Sequence, residues 1–319
     1  MSASSSLPEH LLAVTERLDA ADGVVSLTLR HPDGKPLPHW EPGAHIELML
    51  DNGLARTYSL CGDPADLDRW HIAVLRTGDS RGGSAYVHDS LHPGTEIRVR
   101  GPRNAFALHP AERYLFVAGG IGITPLLPMI AAAESAGADW RLLYGGRSRA
   151  SMAFVDRLQP YGARALICPQ DEHGLLDLGT FLGRPVPGTL VYCCGPEPLL
   201  AAAERHSGGW PAGTLRTERF RSAGSDAAPE GPAFDVVCDA SAVTVRVEPH
   251  QSVLAAVRAA GVDVMSSCNE GICGTCETDV LAGEPDHRDT VLGAAERAAG
   301  ETMMICVSRS RGPRLVLDL

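Results

Sequence analysis

Between residues 8 and 105, short apolar runs recur with turn signals between them. VVSLTLR, HIELML, HIAVLR and EIRVR alternate apolar and polar positions, and HPDGKP, EPG, DNG, HPG and GP break them. A period of two with frequent Gly/Pro punctuation predicts an antiparallel barrel. Near residue 113 the pattern changes. YLFVAG reads as a short buried strand, Gly119 to Pro125 as a Gly-rich turn, and LLPMIAAAESA as a helix. RLLYGG, RALIC and TLVYCC follow as strands with helical stretches between them. Strand–helix alternation predicts a parallel, doubly wound sheet.

SAGSDAAPEGP, residues 222–232, has no apolar periodicity and reads as a tether. Beyond it FDVVCDASAVTVRVE reads as a hairpin. SVLAAVRAAG reads as a helix capped by Ser252 and stopped by Gly261. A Cys-rich loop comes next, then CETDVL, ICVS and LVLDL as strands. The expected organisation is a barrel over 1–108, an α/β domain over 109–221, a linker over 222–233 and a small α+β domain over 234–319.

Length and composition fit this picture. A chain of 319 residues suits two or three domains, and 44% hydrophobic content is ordinary for globular protein. No apolar run approaches the ~20 residues of a membrane helix. MSASSSLPEH does not read as a signal peptide, so a cytoplasmic protein is expected. A net charge of −11 argues against nucleic acid or an anionic membrane as partner.

The cysteines change the picture most. There are nine, an odd number with no secretory signal, which argues against a disulfide framework. Cys61, Cys168, Cys193, Cys194 and Cys238 are scattered or lie in apolar runs and read as small buried hydrophobes. Cys268, Cys273 and Cys276 instead have the spacing C-x4-C-x2-C, with Cys306 30 residues beyond Cys276. Two irons need four thiolates, so one tight loop supplies three and a strand the fourth. Gly271 and Gly274 let the loop wrap the site, and Ser266 and Ser267 can add donors. Structural zinc is the competing reading. Zinc sites usually use two paired knuckles, and only one C-x2-C pair is present. The spacing matches the plant-type 2Fe–2S pattern.

GGIGITP at Gly119 to Pro125 follows a strand and opens a helix, where a pyrophosphate meets backbone N–H groups. It lacks the third glycine of G-x-G-x-x-G, so alone it is equally a tight turn. CCGPEP at Cys193 to Pro198 is a second such turn, and the two together are more specific than either. In ARTYSL, Arg56 can neutralise a phosphate and Tyr58 and Ser59 can touch a flavin ring. RGGS at Arg81 to Ser84 suits a terminal phosphate. Singly, each of these is more often surface or turn chemistry than a flavin site.

R-x-Y-S, GGIGITP, CGP and C-x4-C-x2-C…C, in this order, resemble the ferredoxin–NADP reductase superfamily. Within it the chain is similar to the phthalate dioxygenase reductase branch, which includes vanillate demethylase reductases. The resemblance covers essentially the whole chain. It implies a flavin-binding barrel, then a nicotinamide-binding domain, then a β-grasp ferredoxin domain. This domain order implies FMN rather than FAD.

By position, the resemblance implies that Arg56, Thr57, Tyr58 and Ser59, with Ala73, Val74 and Leu75, line the flavin. Arg81, Gly82, Gly83 and Ser84 would hold the FMN phosphate. Thr124 would sit between flavin and nucleotide, and Phe220 would cover the flavin ring. Gly120, Gly122, Cys194, Gly195 and Pro196 would shape the nicotinamide site. Ser59, Thr124 and Cys194 are the candidates for contact with the reacting atoms. GGRSRA at Gly145 to Ala150 occupies the strand end that meets the adenine ribose. An acidic residue there would repel a 2′-phosphate. Arg147, Ser148 and Arg149 leave NADH and NADPH both open, and a solvated basic loop is the plainer alternative.

The expected activity is electron transfer from NAD(P)H through FMN and the 2Fe–2S cluster to a terminal oxygenase. The expected partner is a Rieske-type enzyme acting on an aromatic compound, with a haem-thiolate monooxygenase as runner-up, and the protein is expected to be a monomer. An iron–sulfur redox sensor would need a degenerate nucleotide site, and a bare electron carrier would bind no flavin.

Overall fold

The computed structural model describes residues 8–78, 82–220, 230–266 and 268–319. The chain divides into two compact units, Met1–Phe220 and Arg221–Leu319.

The first unit opens with six antiparallel strands: β1 (Glu9–Ala21), β2 (Val24–Arg30), β3 (Ala44–Met49), β4 (Ala55–Ser59), β5 (Trp70–Leu75) and β6 (Glu96–Asn104). Their order is β4-β3-β6-β1-β2-β5, and a single bridge between Leu60 and Ile72 draws the two edges together. The inward positions of all six strands fill one core around Leu12, Leu27, Ile46, Leu48, Trp70 and Val99, all fully buried. One element is additional to the expected strands. Gly83 and Ser84, read as part of a phosphate loop, are the first residues of helix α1 (Gly83–Ser90).

A five-stranded parallel sheet follows: β7 (Arg113–Gly119), β8 (Asp139–Gly146), β9 (Ala165–Pro169), β10 (Thr189–Cys194) and β11 (Leu215–Glu218), in the order β11-β10-β7-β8-β9. The helices beside it are α2 (Ile123–Ser135), α3 (Val155–Leu158), α4 (Gln170–His173), α5 (Leu178–Leu182) and α6 (Glu197–His206). Strand alternation divides the apolar residues between two cores. Phe116, Leu142, Tyr192 and Cys194 share one face with Val24, Cys61, Ala73 and Phe106 of the barrel region. Leu115, Val117, Leu143, Val191 and Cys193 pack on the other face against Leu200 and Ala203 of α6. The sheet order reverses between β7 and β10, so the carboxyl ends of these two strands form the switch-point crevice.

The second unit has a mixed sheet: β12 (Phe234–Cys238), β13 (Val243–Val247), β14 (Glu277–Ala282), β16 (Thr302–Met304) and β18 (Arg314–Leu317), ordered β13-β12-β18-β14-β16. A two-stranded ribbon joins β15 (Pro285–Asp286) and β17 (Arg309–Ser310). Helix α7 (Val253–Ala259) packs its Val253, Leu254 and Val257 into the core, and α8 (Ala294–Ala299) is a short second helix. The Ser252 hydroxyl accepts the Ala255 N–H, the N-cap that the sequence indicated.

ICVS is not a strand. The strand β16 ends at Met304, and the Val307 and Ser308 N–H groups both turn back to the Met304 carbonyl, at 3.2 and 3.0 Å. The apolar run suggested a strand, but the fourth thiol has to leave the sheet to meet the other three, and a turn accomplishes this.

Candidate functional site

In the first unit the site forms where the barrel edge meets the parallel sheet. Strands β4 and β5 are the two edges of the barrel sheet, and among the described residues only the Leu60–Ile72 bridge joins them. Arg56, Thr57 and Tyr58 are half-buried on β4 and Ser59 is buried. The Arg56 side chain lies along the start of α1, where a Cβ on Gly83 would come within 2.6 Å of its Nε. Gly82 precedes that helix with φ 91°. A guanidinium beside the start of a helix fits a phosphate. The Ser84 hydroxyl is already engaged, accepting the Thr77 N–H at 3.2 Å. Arg81 and Ser267 lie outside the described residues, as do residues 221–229, which include most of the tether.

Burial pushes the Tyr58 phenol up to about 12 against the pull of Arg56, so it stays neutral and able to donate. Ala73 packs into the core shared with the parallel sheet. Val74 is buried in the barrel core and its carbonyl meets the His88 ring at 2.9 Å, while Leu75 is half-buried. These three residues therefore present backbone more than side chain to the edge.

The two Gly-rich turns form one assembly. A Cβ on Gly122 would stand 2.2 Å from the Cys194 carbonyl oxygen, so the close approach of the turns needs glycine there. A Cβ on Gly119 would meet Pro196 Cδ at 2.7 Å. Gly120 has φ 54°, and Gly195 lies against Gly119. Thr124 is buried in the first turn of α2, its hydroxyl donating to the Ile121 carbonyl at 2.9 Å. Phe220, two residues past β11, is 37% exposed.

Glu218 was not singled out from the sequence. It ends β11 and brings its carboxylate to Ser59, whose Oγ donates to Oε2 at 3.4 Å, while the Cys194 thiol points at the same oxygen from 3.9 Å. The residue keeps some surface exposure, but its carboxylate is enclosed by protein, and that desolvation pushes its pKa up to about 8. The Cys194 thiol is held well above its usual range, first by burial and then by Glu218. A signal for Glu218 was present in TERF. It stands two residues before Phe220 at the carboxyl end of a strand, where ligands of parallel sheets bind. The intervening Arg219 turns the other way, to Glu197 and Glu204 of α6 at 3.0 and 2.6 Å.

Arg147, Ser148 and Arg149 stand just past β8. Ser148 forms a closed turn with Ser151, and Arg149 pairs with Glu172 at 3.4 Å.

In the second unit the four cysteines come together. Cys268, Cys273, Cys276 and Cys306 are all buried. Gly271 and Gly274 hold φ near 70°, so the loop 268–276 folds back on itself. The thiols contact in sequence: Cys273 meets Cys268, Cys268 meets Cys306, and Cys306 meets Cys276. Hydrogen bonds from Cys273 and Cys306, and then from the Ile272 and Cys273 N–H groups, hold Cys268 below the usual thiol range. The Glu270 N–H also points to its sulfur at 3.3 Å. Among the described residues no three His, Cys, Asp or Glu side chains gather around a point suited to one metal ion. Four thiols in this order of contact suit two irons with two thiolates each.

A barrel edge beside paired glycine turns, with a separate four-thiol domain, is the arrangement of an electron-transfer reductase. Residues 236–311 match the 2Fe-2S iron-sulfur cluster binding domain family. The whole chain is 43% identical over 325 residues to phenoxybenzoate dioxygenase subunit beta of Ectopseudomonas oleovorans, covering 100% of both chains. The solved structure of phthalate dioxygenase reductase, described as modular for electron transfer from pyridine nucleotides to [2Fe-2S], matches with TM-score 0.72 and 37% identity over 98% of both chains. An intact type IV self-sufficient cytochrome P450 monooxygenase matches with TM-score 0.90 and 46% identity, over 100% of this chain and 43% of that longer one. The chain belongs to the phthalate dioxygenase reductase family. It is accordingly an oxidoreductase of the oxygenase-reductase class, using NAD(P)H, FMN and a 2Fe–2S cluster.

Proposed function

We propose that this protein carries electrons from NAD(P)H to a Rieske-type terminal oxygenase that acts on an aromatic compound. Bound FMN would supply two-electron acceptance of hydride, and a 2Fe–2S cluster would supply one-electron transfer. The chain's own residues bind and orient these groups. Arg56 and the start of α1, with Arg81 to Ser84, hold the flavin phosphate. Thr57, Tyr58 and Ser59, and the backbone of Ala73 to Leu75, line the ring, which Phe220 covers. Gly120, Gly122, Thr124, Cys194, Gly195 and Pro196 shape the pocket that receives the nicotinamide. Glu218, protonated through neutral pH, fixes the Ser59 hydroxyl and Cys194 thiol at the meeting of the two rings. Cys268, Cys273, Cys276 and Cys306 ligate the cluster.

The convergence of Ser59, Cys194 and Glu218, drawn from both halves of the first unit, carries this reading. The domain limits 1–108, 109–221 and 234–319, a monomeric state and a cytoplasmic location belong to the same proposal. Among the described residues no helix is long and apolar enough to cross a membrane. A visible spectrum of the purified protein, followed anaerobically on addition of NADH, tests the reading. Flavin and cluster bands should bleach together, and an inert spectrum would leave only a sensor or carrier role.

The match to a P450 monooxygenase favours a second acceptor, a haem-thiolate enzyme. Mixing the reduced protein with each class of oxygenase, and following reoxidation of the cluster, separates the two.

A further inference from the structure

We propose that Glu172 sets the preference for NADH over NADPH by engaging Arg149, the cation that would otherwise receive a ribose 2′-phosphate. This rests on the reading that the parallel sheet binds a pyridine nucleotide.

In such sheets the pyrophosphate meets the helix that follows the first strand, and the adenosine ribose meets the carboxyl end of the next strand. Here those are α2 after β7, and the loop after β8, which begins at Arg147. The neighbouring strand β9 leads straight into α4, and the Asp171 N–H donates to the Arg147 carbonyl at 3.2 Å. The two loops are therefore joined by backbone, and Asp171 and Glu172 stand beside the ribose position. Leu176 packs over Gly145 at the end of β8, where a Cβ would meet it at 2.9 Å. Its neighbour Leu175 is 84% exposed and offers an apolar face to an adenine.

The three residues first named for the 2′ position are not equally able to bind phosphate. The Ser148 N–H and carbonyl both bond to the Ser151 hydroxyl, at 3.2 and 2.9 Å, and its own hydroxyl reaches Ser151 at 3.3 Å. Arg149 Nη2 lies 3.4 Å from Glu172 Oε2, and His173 Nε2 lies 3.7 Å from the same oxygen. The ion pair is solvent-exposed and adds little to stability. Its effect falls on an incoming anion. A 2′-phosphate meets a guanidinium already compensated and a carboxylate beside it, whereas a 2′-hydroxyl is uncharged and can donate to that carboxylate.

The test measures binding of 2′,5′-ADP and 5′-AMP to the holoprotein by calorimetry, alongside flavin reduction by NADH and NADPH. In Glu172→Gln the ratio of 2′,5′-ADP to 5′-AMP affinity should rise about tenfold, the gain of one charge-assisted contact. The NADPH-to-NADH ratio of kcat/KM should rise with it. In the double variant Glu172→Gln/Arg149→Ala the gain should vanish. An unchanged ratio in Glu172→Gln, or a gain that survives loss of Arg149, would overturn the inference. Flavin reduction of the unaltered protein by NADH distinguishes that outcome from failure of the underlying reading.

Discussion

Ser59 Oγ on barrel strand β4 lies 3.4 Å from Glu218 Oε2 on β11, 159 residues later in the chain. The contact joins the barrel edge to the carboxyl end of the parallel sheet, and it carries a carboxyl group whose pKa burial raises to about 8.

The pKa of Glu218 is raised from 4.5 to about 8 by burial, so the folded protein holds this proton more tightly than the unfolded chain. The proton-linked stability is fully present below pH 4.5 and is lost as pH rises toward and through about 8. Glu218→Gln should remove this part of the pH dependence of thermal unfolding, measured on the flavin-free protein. The same variant should slow flavin reduction by NADH roughly tenfold or more and flatten its pH profile. A wild-type profile with no inflection between pH 6 and 9 would show that the carboxyl group does not act at this step.

Arg56→Ala should lower FMN occupancy, since a charge-assisted contact is worth about 1.5–3 kcal/mol. The flavin released on heating should be FMN. Release of FAD would contradict the phosphate site proposed at Arg56 and α1.

Iron and acid-labile sulfide should each approach about two per chain, the stoichiometry of this cluster. Cys306→Ser should lower both together while FMN content stays unchanged, because the thiols belong to the second unit and the residues proposed to hold the flavin belong to the first. One zinc per chain with no sulfide would replace the cluster by a structural metal.

Residues 234–319 carry 13 acidic and seven basic side chains, a net −6 of the chain's −11. Much of the basic complement is committed within the unit. Arg246 pairs with Asp235, Arg288 with Asp286 and Arg311 with Glu284, while Arg309 is buried under Phe234 and bonded to the Pro232 and Glu248 carbonyls. Such a surface is steered toward a basic patch on its acceptor. The bimolecular transfer rate should fall as salt shortens the Debye length below roughly 10 Å. Glu270→Gln with Glu277→Gln, one within the cysteine loop and one just after it, should flatten that dependence and leave flavin reduction unaltered. A rate indifferent to both would mean that the acidic face is merely solvated.

The sequence by itself determined the fold classes and which four cysteines gather, because each is a local pattern. Period-two alternation is written in EIRVR, a Gly-rich turn must follow its strand, and three of four thiols share one short loop. Local pattern also misled: ICVS has the composition of a strand, yet Cys306 reaches its partners only because the chain turns after Met304. What the tertiary structure alone decided are the relations between distant segments. Glu218 is one acidic residue among 39 until folding places it against Ser59 and Cys194. Arg149 is a free cation in the sequence and a compensated one beside Glu172. Burial and pairing depend on what stands across the gap, and no spacing along the chain encodes that.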